Sequence, residues 1–165
     1  MAKNNTNYNH AWYALAATRI ALGFIFLWAF LDKTMGLGYA TPAAKAWVLG
    51  NSPTSGFLKG VDGPTADFFN ALAGNVLVDW LFMIGLLGIG MSLILGVGLR
   101  IAAIAGTLLL SLMWAAALPM TTNPILDDHI IYALVLWVIA LAPRKISFVE
   151  QWLSNKYVKK HSWLW

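Results

Sequence analysis

A short acidic motif with one imidazole holds the densest set of chemically reactive side chains in this sequence. Asp127, Asp128 and His129 follow one another directly and open the last strongly apolar segment. Carboxylates and imidazole transfer protons, and imidazole also ligates metals. Charges close to hydrocarbon are costly and mark functional sites by default. The motif is therefore our first candidate for a catalytic site.

Helix geometry separates the members of this motif if all three lie within one helix. Asp128 and Tyr132 are four residues apart and share a face, whereas His129 points about 100° away. Asp127 takes a third direction and suits the role of an N-terminal acid that stabilises the helix dipole. Pro124 would allow the first turn to fray and bring the side chains together. We predict Asp128, His129 and Tyr132 as catalytic, with a structural role as the alternative for Asp128 and His129.

Further ionisable residues interrupt or border the apolar segments. Arg19 lies about two turns inside the first segment, where it either reaches toward the headgroups or faces inward and binds an anion or a quinone carbonyl. Asp32 and Lys33 end that segment, and Asp79 begins the next one. We predict a substrate-binding or quinone-binding set that adds two aromatic residues to these, namely Arg19, Asp32, Lys33, Asp79, Trp28 and Trp114. An aromatic lining also results from plain core packing.

Residues for a bound metal or cofactor are sparse. The chain has no Cys, which excludes disulfides, thiol redox chemistry and iron–sulfur clusters within it. His10 and His161 are expected on the opposite side of the membrane from His129, so no pair of histidines faces one haem iron. No phosphate-binding loop, dinucleotide fingerprint or nucleophile elbow is present. We predict no metal site and no cofactor within the chain.

Composition places the chain in a lipid environment. Of its 165 residues, 59% are hydrophobic and only 11% are charged, against about 25% in soluble domains. The mean hydropathy is +0.67. Nine Trp suit anchoring at the membrane surface. The net charge of +4 comes from residues that flank apolar segments, so it indicates topology and not nucleic-acid binding.

Four apolar segments are long enough, or nearly so, to span a bilayer, which takes about 20 residues. They cover about 12–31, 76–99, 101–120 and 126–142. The first contains Arg19 and lacks a cleavage site, so we expect it to be retained and not removed as a signal peptide. The fourth is short. The prediction is an all-α integral membrane protein, a four-helix bundle in a single domain, 1–165.

Basic residues orient the four predicted spans. An even number of spans puts both termini on one side. That side holds Lys3, Arg100, Arg144, Lys145, Lys156, Lys159 and Lys160, whereas the other holds Lys33, Lys45 and Lys59. The positive-inside rule therefore predicts a cell-membrane protein with both termini in the cytoplasm. The acidic motif then lies on the outer side.

The outer connection, 32–75, is too long for a simple turn. Thr41 and Pro42 resemble the start of a short helix that stops at Gly50, and a second short helix is expected from Pro64 to Ala73. Long loops without structure are uncommon. We expect this connection to fold as a lid, with a solvated linker as the alternative.

Small residues and a basic tail complete the pattern. Gly88, Ser92 and Gly96 recur every four residues, which predicts close helix packing within the bundle or between subunits. In the tail, 143–165, Ser147 and Glu150 have capping-box spacing. The aromatic and basic residues that follow predict an interfacial amphipathic helix on the cytoplasmic leaflet.

Six short segments together carry a family resemblance. They are RIALG (19–23), FLDK (30–33), GLGYATP (36–42), DWLF (79–82), GVGLR (96–100) and NPILDDH (123–129). In this order and spacing they resemble the DoxX/DoxD family of small four-helix membrane proteins, over nearly all of the chain between Trp12 and Ala142.

The resemblance implies a redox function. The family's namesake is a membrane subunit of a thiosulfate:quinone oxidoreductase, and it works with a second, differently built subunit. This implies quinone as co-substrate, the lipid bilayer as surroundings, and a homo-oligomer or a hetero-complex with another membrane or redox subunit. One alternative is a non-catalytic oligomeric or accessory subunit that organises a larger complex. A third is a small-anion carrier with Arg19 as the ligand.

Overall fold

The chain folds as a set of apolar helices with a compact cap at one end. The computed structural model describes residues 4–120, 123, 125–142 and 159–161, with side chains from His10 onward. These residues contain helices and turns and no β-strand. The predicted tail helix lies outside the described residues, apart from 159–161.

Helix α1 (Asn4–Met35) is longer than the predicted span, with 32 residues in place of about 20. It ends where Gly36 adopts a φ of 65° and donates its N–H to the Asp32 carbonyl, 2.7 Å away. Only glycine fits there, because a Cβ on Gly36 would lie 2.7 Å from the Cα of Ala43. This contact turns the chain directly from α1 into the cap.

A short cap of helical pieces follows α1. Two 3₁₀ turns, Ala43–Lys45 and Trp47–Leu49, occupy the stretch predicted as one helix, and Gly50 ends the second of them in a left-handed conformation. Helices α2 (Ser55–Lys59) and α3 (Ala66–Leu72) come next. We call residues 36–75 the cap. It has a small core of its own, formed by Leu58, Val61 and Phe69 against Ala116.

Helices α4 (Val76–Leu95) and α5 (Leu99–Ala116) form an antiparallel pair. Helix α4 is shorter than the predicted segment because Gly96 adopts a left-handed conformation that ends it. Helix α5 begins after the left-handed Gly98, two residues earlier than predicted, and ends four residues earlier, at Ala116. With His10–Met35 of α1, they are the three helices long and apolar enough to cross a membrane among the described residues. We call the end of the bundle at Gly96–Gly98 the turn end and the opposite end the cap end.

Helix α6 (Asp128–Leu141) has 14 residues and packs along α5. Helix α1 packs mainly on α4, α4 packs on α5, and α6 also contacts α1 lightly. This places α4 and α6 on opposite corners. The shared core is apolar and consists mainly of Leu22, Phe26, Met83, Leu86, Ile89, Leu93, Ala103, Leu110 and Leu136.

The outer surface of these helices is as apolar as the core. More than half of each side chain is exposed for Phe24, Leu81, Ile84, Ile104, Leu108, Leu134 and Val138. A continuous exposed apolar belt of this kind requires a lipid environment, because in water it would drive aggregation. The chain is therefore a membrane protein.

The closest helix crossing differs from the predicted one. A Cβ on Gly90 would lie 2.8 Å from the backbone nitrogen of Leu27, and a Cβ on Gly23 would lie 2.9 Å from Leu93. Gly88 has no neighbour within 4 Å, so close packing at that position does not occur within this chain, and packing there between subunits stays a prediction. Four-residue spacing identified a row of small residues, but the buried face of α4 passes through Gly90.

Candidate functional site

Asp79 is the polar centre of the cap end. It lies in the first turn of α4 and is only 6% exposed. One carboxylate oxygen, Oδ1, accepts hydrogen bonds from Ser52 Oγ at 2.8 Å, from Thr54 Oγ1 at 2.5 Å and from the Thr54 backbone N–H at 3.4 Å. The buried carboxylate is thus compensated by donors from the cap.

Asp32 has a similar role at the end of α1, where it is 1% exposed. Its two carboxylate oxygens accept the backbone N–H groups of Tyr39 at 3.2 Å and Ala40 at 3.1 Å. Trp28 lies one turn earlier on α1 and packs edge-on against the Tyr39 ring, with 5.2 Å between centroids. These contacts fold the first residues of the cap back onto α1.

Lys33 binds the cap between the residues held by Asp32 and those held by Asp79. Its Nζ donates to the Pro53 carbonyl at 3.3 Å and lies 5.9 Å from the centre of the Phe82 ring. Pro53 stands between the two hydroxyl residues that Asp79 holds. We call Asp32, Lys33 and Asp79, with the cap atoms they bind, the clamp. A ligand at these three predicted site residues would have to compete with the cap.

Ser52 and Thr54 are functional partners that the sequence reasoning missed. The sequence does contain a signal for them: two hydroxyl residues flank a proline, Ser52-Pro53-Thr54, in a cap with few charged residues. Proline fixes the local backbone, so both hydroxyls are presented to one acceptor. The distance along the chain to Asp79, 27 residues from Ser52, hid the pairing.

The acidic motif forms a second polar site at the start of α6. Asp127 is the N-cap residue, and its Oδ1 accepts the Ile130 backbone N–H at 3.2 Å. Its other oxygen, Oδ2, lies 2.5 Å from Nδ1 of His129. Both side chains are about one quarter exposed. We call these two residues the carboxylate–imidazole pair.

This pair corrects the prediction that Asp127 and His129 point apart. That prediction assumed helical geometry throughout, whereas Asp127 has an extended backbone and stands outside the helix. An N-cap side chain folds back over the first turn and reaches His129. Although desolvation raises the pKa of Asp127, the hydrogen bonds from His129 and Ile130 and the attraction of His129 together lower it below its usual value.

The other residues near the start of α6 have separate roles. Asp128 is exposed, and Tyr132 is half-buried against the apolar core. No hydrogen bond between Asp128 and Tyr132 occurs in the described part of the chain, so their action as one unit stays a prediction. Trp114 donates its Nε1 hydrogen to the Ile125 carbonyl at 2.9 Å. This bond attaches the segment before α6 to the end of α5.

The predicted single polar cluster is two sites. Within residues 10–120 and 125–142, no ion pair or hydrogen bond joins the clamp to the carboxylate–imidazole pair. The clamp sits between α1, α4 and the cap, whereas the pair belongs to α6. Both sites lie at the cap end of the bundle, but position along the helix axes does not specify the corner of the bundle.

Arg19 lies far from both sites. It is the sixteenth residue of α1, about four turns in, and is only 5% exposed. Its Nε is buried and has no hydrogen-bond partner. The structure therefore packs the Arg19 side chain against its neighbours in the bundle and not on the exposed apolar surface.

Two further features complete the survey of the described residues. They contain no group of three or more His, Cys, Asp or Glu side chains that could hold a metal ion. A shallow pocket of about 280 Å³ lies between the cap and the end of α5, with Phe57, Val61, Asp62 and Pro119 in its wall. This volume is at the small end of the range for ligand sites.

Comparisons with known proteins yield no relative. No family model matches the chain, and no curated protein and no solved structure matches it. The function must therefore be argued from the site itself.

Proposed function

We propose that this chain is a membrane subunit of a quinone-linked oxidoreductase that resembles the DoxX/DoxD family. The observation that carries the proposal is the carboxylate–imidazole pair, with 2.5 Å between Asp127 Oδ2 and His129 Nδ1. Quinone reduction takes up protons together with electrons, so a quinone site needs a group that donates a hydrogen bond and then a proton.

The geometry of the pair suits that task. Because Nδ1 of His129 faces Asp127, the other ring nitrogen, Nε2, is the one left to face a quinone carbonyl. The carboxylate orients the imidazole ring, as an orienting acid does in other proton-transfer sites, so that a proton taken up by Nε2 from water is directed at the quinone. Partial exposure of both side chains allows protons to be exchanged with water.

The surface beside the pair suits a lipid-soluble substrate. Leu126, directly before the pair, and Ile131 and Leu134, which follow it along α6, are each about half exposed. A quinone carries its ring on a long apolar chain, which needs such a surface within the bilayer. In this arrangement the ring lies near the membrane boundary and the chain runs along α6.

The finer topology also belongs to this proposal. We take α6 as the fourth span of a four-helix bundle and place both termini in the cytoplasm, because basic residues favour the turn end. The cap and the pair then face the outer side of a cell membrane. The electron donor is a small sulfur compound such as thiosulfate, oxidised by a separate redox subunit with which this chain forms a hetero-complex.

Quinone binding is the direct test. Full-length protein in mild detergent is incubated with a short-chain ubiquinone analogue, and the bound quinone is quantified after removal of the excess. Wild type is expected to bind, and His129→Gln to bind about tenfold more weakly, the effect of losing one strong hydrogen bond. Asp67→Asn, an exposed acid in the cap, is the control and should leave binding unchanged.

Reduction of the quinone tests the redox role. Membranes that contain the protein are supplied with thiosulfate, and formation of quinol is followed by its absorbance. The proposal fails if the protein neither binds quinone nor supports its reduction under these conditions. Binding without reduction in the purified chain, with reduction restored in whole membranes, supports a role as one subunit of a complex.

A second candidate is an accessory subunit that organises a larger assembly. The clamp favours it, because three of the predicted site residues hold the cap in place. The cap also exposes large apolar side chains, Tyr39, Phe57 and Phe68 among them. Affinity purification in mild detergent that yields one stoichiometric partner and no bound small molecule would favour this function over the first.

A further inference from the structure

Arg19 carries a positive charge inside the bundle for which the described residues supply no counter-charge. The side chain is 5% exposed, its Nε has no partner, and no hydrogen bond or ion pair of Arg19 occurs among the described residues. A buried charge without a counter-charge is strongly unfavourable. A guanidinium cannot escape this cost by losing its proton, because it stays charged in proteins. An anion that reaches the guanidinium would compensate this charge.

Helix register gives the position of Arg19 along the bundle. Helices α1 and α4 are antiparallel, with Leu27 against Gly90 and Gly23 against Leu93 and Ile94. Arg19 lies four residues before Gly23, on the same face and about 6 Å further along. The same step on α4 leads from Leu93 to residues 97–98. Arg19 is thus level with the turn between α4 and α5.

The start of α5 adds partial positive charge at this level. Helix α5 has 18 residues, begins at Leu99 and has no side-chain cap on Gly98. The first N–H groups of a helix lack intrahelical partners, and the helix dipole is positive there. These groups and the guanidinium are both suited to an anion, and especially to phosphate.

No acidic side chain of the described residues is available at this end. Their acids are all at the cap end of the bundle, namely Asp32, Asp62, Asp67, Asp79, Asp127 and Asp128. The turn joins two apolar helices without a loop, and irregular backbone exposed to lipid does not occur within hydrocarbon. The turn therefore lies at the membrane surface, which is the depth of lipid phosphate groups.

We propose that Arg19 and the start of α5 form a binding site for a phosphate group at the turn end of the bundle. The phosphate comes from the headgroup of an anionic phospholipid or from free phosphate in solution. In both cases the guanidinium binds two phosphate oxygens and the α5 N–H groups bind a third. This site is separate from the carboxylate–imidazole pair and independent of quinone chemistry.

Lipid retention tests the first source. Full-length protein is reconstituted with phosphatidylglycerol and phosphatidylcholine, extracted in mild detergent and examined by native mass spectrometry. Wild type is expected to retain one phosphatidylglycerol per chain, and Arg19→Gln to bind it about 10- to 100-fold more weakly, as expected when hydrogen bonds to a charged group are lost. Lys59→Gln is the control for net charge, because Lys59 carries the same charge but is exposed in the cap, at the opposite end of the bundle.

Inorganic phosphate tests the second source. Delipidated protein is titrated with sodium phosphate, with sodium chloride at equal ionic strength as reference, and the unfolding temperature is recorded. A rise in wild type and in Lys59→Gln, but not in Arg19→Gln, assigns the site to free phosphate. Lipid retention without this rise assigns it to a phospholipid.

A conservative variant keeps the proposal falsifiable. Arg19→Lys retains the charge but not the two-pronged geometry, so it should bind phosphate more weakly than wild type and better than Arg19→Gln. If Arg19→Gln does not fold, a weakening in Arg19→Lys alone supports the site. The proposal is overturned if the Arg19 variants match wild type in both experiments.

Discussion

The two ends of the bundle bury charge in opposite ways. At the cap end, the carboxylates of Asp32 and Asp79 are almost fully buried and accept five hydrogen bonds from the cap. At the turn end, the Arg19 side chain is also almost fully buried, and its Nε has no hydrogen-bond partner in the described part of the chain. A buried charge with internal partners fixes structure, whereas one without them requires a ligand.

Removal of the clamp carboxylate should have the largest effect. Asp79→Ala leaves the Ser52 and Thr54 hydroxyls and one backbone N–H buried without an acceptor. We expect a loss of about 3 kcal/mol in the free energy of unfolding, measured by denaturant titration in detergent. Asp67→Asn should change it by less than about 0.5 kcal/mol. Equal stability of the two variants would show that the clamp does not hold the cap.

The close crossing of α1 and α4 fixes how these two helices are aligned along their length, and so connects the two ends of the bundle. Gly90→Ala places a methyl group 2.8 Å from the Leu27 nitrogen, so we expect destabilisation of about 2 kcal/mol. Gly88→Ala, two residues away in open space, is the control. It should be neutral or stabilising by up to about 1 kcal/mol, because alanine favours helix. The unfolding temperatures of both variants are measured in one detergent. If Gly88→Ala unfolded at a lower temperature than Gly90→Ala, the register of α1 against α4 would be wrong.

Neutralisation of one buried charge at each end should change stability in opposite directions. In neutral detergent free of phosphate, Arg19→Met should stabilise the protein by about 1 kcal/mol, because an uncompensated charge is replaced by an apolar side chain of similar length. Asp32→Leu should destabilise it, since the Tyr39 and Ala40 N–H groups lose their acceptor. A loss of stability in Arg19→Met would indicate an internal partner and contradict the contrast between the ends.

Acid should weaken the carboxylate–imidazole pair. Of the four predicted changes in stability, this one should be the smallest. The pKa of Asp127 in the folded state is below its usual 3.8, so the stabilisation it provides is present above pH 3.8. It is lost as the pH falls through the lower folded pKa. The change should stay below about 1 kcal/mol because the pair is partly exposed. Unfolding temperatures of wild type and His129→Gln between pH 6 and pH 3 should converge at the acid end.

The apolar pattern predicted the three long helices, because burial in lipid imposes length and composition that are visible in sequence. The predicted ends of these helices were less accurate. Gly96 and Gly98 end one helix and start the next through left-handed backbone, and apolar residues on both sides concealed this. The predicted helix at 41–50 is a pair of 3₁₀ turns for a related reason, since turn type depends on contacts with α1 that are distant in sequence.

The polar residues were identified from sequence, but their partners were not. Asp32, Lys33 and Asp79 stand out in an apolar chain, yet which cap atoms they bind depends on the path of the 45 residues between Lys33 and Asp79. The prediction that Asp127 and His129 point apart treated Asp127 as part of the helix. Asp127 is instead the N-cap residue, and the side chain of an N-cap residue is not restricted by helix geometry. Arg19 was recognised as anomalous, and its burial became evident only when α1 packed on α4.

If α6 is the fourth span, as proposed above, its short length has a consequence for the bilayer itself. Fourteen helical residues extend about 21 Å, whereas the hydrocarbon core is about 30 Å thick. Such hydrophobic mismatch is relieved when lipid chains next to the helix shorten and the interface dips toward it. The protein would thus carry a local depression in the membrane at one corner, which brings headgroups and water to the level of His129 while the other three helices face bilayer of ordinary thickness.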